Sequence, residues 1–150
     1  MKARFVFLFA ALLGLGSCSY TYEVRAELID GQLVFTSDKT WFRERCVREI
    51  DVVALDRSEA ANAEPGDDSA RVGYGTYWSE RTDYECNERF PITYGNPFEG
   101  RPAPHHESTI QVSPKQLGVD VWYEVTTVTG ATGYGNGEFR LLSDGTIENR

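Results

Sequence analysis

Histidine, clustered basic charge and long apolar runs are what this sequence has least of, and each scarcity removes a class of function. Only two histidines occur, His105 and His106, side by side. A serine or cysteine nucleophile needs an imidazole base, so the ordinary hydrolase triads have nothing else to draw on, and no Gly-x-Ser-x-Gly elbow is present. Basic residues are few: 15 Lys and Arg against 23 Asp and Glu give a formal charge of −8. Nucleic acid and anionic lipid headgroups are recognised by clustered Lys and Arg, so neither is an expected partner. Past the N-terminus no apolar stretch approaches the roughly 20 residues a membrane-crossing helix needs. Few segments carry a helical period, and no internal repeat or low-complexity tract stands out.

What is present begins at the N-terminus. Lys2 and Arg4 precede the unbroken apolar run Phe5 to Leu13, which has the length and flanks of a signal-peptide core. Leu15-Gly16-Ser17-Cys18 then resembles the lipobox of bacterial lipoproteins, with Leu three residues before the cysteine and small residues between. The resemblance covers residues 1–19 alone. It implies a signal peptide of residues 1–17, lipid on Cys18, and a membrane-anchored mature chain of residues 18–150. Gly16 stands where the family more often has Ala, Ser or Thr. Ser19 follows the cysteine in place of the Asp that commonly retains such proteins in the inner membrane, so the outer membrane, facing the periplasm, is the expected address.

Lipidation also settles the cysteine parity. The chain has three cysteines, and with Cys18 acylated, Cys46 and Cys86 remain as one pair in an oxidising compartment. Closing that loop of some forty residues contributes about 4 kcal/mol in the chain-entropy account. Loss of Lys2 and Arg4 leaves 13 basic residues against 23 acidic ones, a mature net charge of −10.

The mature chain has the length of one domain, and its dominant pattern is period-two alternation, the mark of strands with one buried face. From Tyr20 to Ile29 the apolar set is Tyr20, Tyr22, Val24, Ala26 and Leu28. Asp30-Gly31 follows, a type I′ hairpin pair, and Gln32 to Thr36 reads as the returning strand. Cys46 to Leu55 alternates, with Cys46, Ile50, Val52 and Ala54 on one face and Val47, Glu49, Asp51 and Val53 on the other, and Arg48 interrupts the first set. Asp56 to Ala70 reads as a loop or one short helix, Val72 to Trp78 as a strand, and Leu117 to Thr129 as a long central strand. Ser143-Asp144-Gly145 suggests a C-terminal hairpin. Together these predict an all-β fold, an antiparallel sandwich of about seven short strands with one disulfide. The Cys46–Cys86 separation resembles the inter-sheet disulfide of immunoglobulin domains in spacing only.

Candidates for chemistry are thin. His105-His106 with Glu107 offers metal-ligand types without a third and fourth ligand at a recognisable spacing, so no metal and no cofactor is expected. Gly130 to Gly137 has the glycines of a phosphate cradle but opens no helix and carries no lysine, so a flexible β-turn is expected there. Asp67-Asp68 and Glu85 with Glu88 are carboxylate pairs that arise readily in an acidic chain. Aromatics are plentiful: Trp41, Phe42, Tyr74, Tyr77, Trp78, Tyr84, Phe90, Tyr94, Phe98, Trp122 and Tyr134. Trp122, between Asp120 and Glu124 on the polar side of its segment, is the candidate for an exposed contact. The expectation is a non-catalytic binding or structural module with a protein or glycan partner. A small periplasmic carboxylate- or metal-dependent hydrolase is the alternative.

Overall fold

The computed structural model describes residues 19–38, 46–56, 61–82, 88–98, 112–130 and 132–150. They form an all-β domain: β1 (Tyr20–Ile29), β2 (Gln32–Ser37), β3 (Cys46–Ala54), α1 (Ser69–Gly73), β4 (Thr76–Arg81), β5 (Glu88–Arg89), β6 (Ile92–Thr93), β7 (Trp122–Thr129), β8 (Gly133–Leu141) and β9 (Ile147–Asn149). The strands lie on one hydrogen-bonded path, β4-β3-β7-β8-β1-β2-β6, with β5 beside β3 and β9 beside β8. All neighbours are antiparallel except β1 and β8, which run parallel over Tyr20–Glu23 and Gly133–Asn136. The sheet is therefore mixed, where the sequence predicted only antiparallel pairs; a parallel pair between distant segments leaves no local signal.

The hairpin at Asp30-Gly31 forms as its residues dictate, with φ of 53° and 78°. Along β1 the alternation buries Tyr22, Val24 and Ala26 and leaves Glu23, Arg25 and Glu27 outside. In β3 a register shift between Val47 and Glu49 turns Val47 inward together with Ile50, Val52 and Ala54. Strict alternation had put Val47 outside; the bulge at Arg48 is the reason it is not.

Two predicted strands begin later than expected, and the first of them, β4, runs on to Arg81. Residues 69–73 are helical because Asp68 accepts hydrogen bonds from the Ala70 and Arg71 amides, an N-cap that outweighs the alternation. The strand restarts after Gly75, whose φ is 96°. A second register shift between Val52 and Val53, opposite Thr76 and Trp78, lets Tyr77 and Trp78 both be buried. Leu117 to Val121 lies outside β7: Asp120 has a φ of 61°, and the Gly118 amide donates to the Tyr123 hydroxyl at 2.7 Å.

The curl wraps the sheet around one aromatic core. Phe139 packs on Phe35 and Tyr123 at centroid distances of 5.5 and 5.6 Å, and Trp78 meets Tyr94 at 5.3 Å. Tyr94 belongs to the turn after β6, so its contact with Trp78 of β4 joins the two ends of the strand path. Its hydroxyl also donates to the Tyr77 and Lys115 carbonyls at 3.2 and 2.8 Å. Full burial of each such large side chain contributes about 1.5–3 kcal/mol.

Gly130 to Gly137 is corrected too. Gly130 turns, with a φ of 55°, but Gly133, Gly135 and Gly137 are residues of β8. Their lack of a side chain is a packing requirement: a Cβ at Gly133 or Gly135 would enter the Tyr20 or Tyr22 ring, and one at Gly137 would strike the Val24 carbonyl.

Candidate functional site on the outer sheet face

The outer face of the sheet is assembled by register. Trp122 lies opposite Arg140, Glu124 opposite Glu138, Thr126 opposite Asn136 and Val128 opposite Tyr134. Thr21 and Glu23 of β1 extend the same rows beside Tyr134 and Asn136. Trp122 is half-buried, as the sequence position allowed, and lies against two guanidinium groups: Arg140 Cζ is 4.9 Å and Arg150 Cζ 4.2 Å from its ring centre. Each guanidinium is fixed in turn by a carboxylate. Arg140 pairs with Glu148 at 2.6 Å, and Arg150 pairs with Glu138. The Glu124–Glu138 juxtaposition is thereby partly neutralised.

Beside this cluster an open groove of about 410 Å³ is lined by Glu23, Asn136, Gly137, Glu138 and Arg150. Two carboxylates, an amide and a guanidinium give it hydrogen-bond donors and acceptors for a hydroxyl-rich or peptide-like ligand. Arg140, Arg150 and Glu138 were not singled out from the sequence, although the period-two spacing of Glu138 and Arg140 did carry the signal once β8 was known to face β7.

The remaining candidates separate. Asp67 and Asp68 do different structural work. Asp68 caps α1, whereas Asp67 accepts hydrogen bonds from the Ser113 and Glu64 amides, each at 2.8 Å, and from the Lys115 ammonium. Burial alone would raise the Asp67 carboxyl, but those hydrogen bonds win and hold it well below the usual carboxylate range. For Lys115 burial pulls the ammonium down, and its hydrogen bonds to Asp67 and Glu64 carry it above the usual lysine value instead. Glu80, half-buried, accepts from the Phe98 amide at 2.6 Å; burial raises its pKa.

Tyr77, Trp78 and Phe98 are buried in the core, while Tyr74 and Tyr134 are exposed. Cys46 opens β3, and Glu88 opens β5. Cys18, Trp41, Phe42, Tyr84, Glu85, Cys86, His105, His106 and Glu107 lie outside the described residues. Among the described residues no three His, Cys, Asp or Glu side chains are placed to hold a metal ion. No family model, curated protein or solved structure matches this chain.

Proposed function

We propose that this chain is a cell-envelope lipoprotein, anchored through Cys18 and facing the periplasm from the outer membrane, whose β domain is a non-catalytic binding module for a protein or glycan. The observation that carries the binding role is the placement of Trp122 outside the filled core, against Arg140 and Arg150 and beside a polar groove. An aromatic side chain next to hydrogen-bonding groups is the usual chemistry of peptide and glycan contacts. In this reading the β3, β4 and β7 half of the curled sheet and the β1, β2 and β6 half act as the two layers of a sandwich, and a Cys46–Cys86 disulfide staples it.

Two experiments test the reading. Affinity capture from detergent-solubilised envelopes, read by mass spectrometry, is expected to enrich one partner reproducibly with the parent chain and not with Trp122→Ala. Capture of no partner in any detergent counts against a binding role. Separately, Cys18→Ser should move the chain from the membrane to the soluble periplasmic fraction, and a variant that stays fully membrane-bound sinks the lipid anchor.

A further inference from the structure

Resting on the Cys18 anchor proposed above, we infer that the β1–β8 rim carrying Tyr20 and Tyr134 is seated in the headgroup layer of a zwitterionic bilayer. The first argument is reach. Two residues from Cys18 to Tyr20 span at most about 7 Å. The polar zone on one side of a bilayer is about 5–7 Å deep. A strand that begins at Tyr20 cannot stand clear of the surface that holds Cys18.

The second argument is composition. Residues 18–22 and Val125 to Gly137 contain no charged side chain, in a chain that is 25% charged. The register brings these two stretches together, with Tyr20 beside Gly133 and Thr21 beside Tyr134. The rim is thus built of uncharged residues, mostly Ser, Thr and Gly, with two exposed tyrosines, Tyr20 and Tyr134. Both tyrosines are about half exposed, at 47% and 49%. Tyr20 is fixed there by its hydroxyl, 3.0 Å from the Thr129 hydroxyl. Amphipathic rings of this kind favour the membrane–water interface. Among the described residues, Glu23 and Asp38 stand just inward of the rim on the β1 and β2 side, and Arg48, Glu88 and Arg89 lie toward the same end but on β3 and β5, on the far side of β7. With a mature charge of −10, an uncharged rim suits zwitterionic lipid and not anionic lipid.

Among the described residues, the other exposed large apolar side chains mark the opposite end. Leu28 and Ile29 end β1, Leu55 hydrogen-bonds to the Trp122 carbonyl, Val119 bridges Leu141, and Tyr74 adjoins Gly75, which bonds Ala54. That end stands about 30 Å away along β1.

The test is hydroxyl-radical footprinting of the lipid-modified chain on phosphatidylcholine vesicles, with the Cys18→Ser chain mixed with the same vesicles as reference. Expected is about fivefold protection of Tyr20 and Tyr134 in the anchored form, with Tyr74 unchanged. A chain that floats with the vesicles while Tyr20 and Tyr134 react as in the reference overturns the seated rim and leaves the anchor standing. Protection of Tyr74 to the same degree overturns it as well. A lipid-competent preparation that does not float overturns the anchor, and the seated rim with it.

Discussion

The side-chain amide of Asn149 pairs with both backbone groups of Ala26: it donates to the Ala26 carbonyl at 2.9 Å and accepts from the Ala26 N–H at 2.8 Å. One side chain thus does what a paired strand residue does. It fills the wedge where β1, having followed β8 as far as Glu23, turns toward β2 and leaves β9 between them. Asn149→Ala strands both groups and should cost about 1–2 kcal/mol. For a domain of this size that is a fall in Tm of about 4–8 °C, measured by thermal unfolding.

The buried ion pair between Lys115 and Asp67 predicts a pH profile. The carboxyl is held below its ordinary value of 3.8, so its stabilisation is complete above that pH and is lost as pH falls through the lowered value. The ammonium is held above 10.5, so its share is complete below that pH and is lost only as pH rises past it. Between those limits the pair contributes a constant amount. Its side chains are covered from solvent, but few atoms lie around the pair beyond that cover. Asp67→Asn should therefore cost about 2 kcal/mol, below the usual range for a deeply buried pair. Urea titrations from pH 7 to pH 2 should also show a shallower acid limb in the variant.

Gly137→Ala is expected to be among the most damaging small changes, at about 3 kcal/mol or more, because the added methyl meets the Val24 carbonyl and backbone cannot step aside. Gly73→Ala is the control. Nothing lies within 4 Å of its Cβ, and it sits in α1, so a gain of about 0.5 kcal/mol is expected in the same denaturation assay.

Two tryptophans should separate contact from core. Trp78→Ala removes a side chain that is 1% exposed and should cost about 4 kcal/mol. Trp122→Ala loses mainly its two guanidinium contacts, about 1 kcal/mol, and should leave a folded domain with unchanged near-native circular dichroism.

Much of the fold was legible because it is local. The bounds of β1, the Asp30-Gly31 turn and the C-terminal hairpin all follow from alternation and turn chemistry within a dozen residues. The bulges at Arg48 of β3 and Tyr77 of β4 were not legible, because one inserted residue reverses which face every later side chain takes. The glycines of β8 misled for a related reason. Glycine signals a turn when only neighbours are considered, and here it answers to Tyr20 and Tyr22, more than a hundred positions earlier. At the candidate site Trp122 was readable from its polar flanks. The Arg140 and Arg150 contacts needed the β7–β8 and β8–β9 registers, which no single segment encodes.

The parallel pairing of β1 with β8 has a consequence in time. The first strand of the domain pairs at once with β2 but finds its second partner 113 positions later, and the wedge beside it is filled only by Asn149. High sequence separation of this kind slows folding, since loop closure precedes any reward from the contact. Until β8 is available, the edge of β1 that it covers stays open, with only the β2 edge paired. An unpaired strand edge of this kind is what a holding chaperone engages.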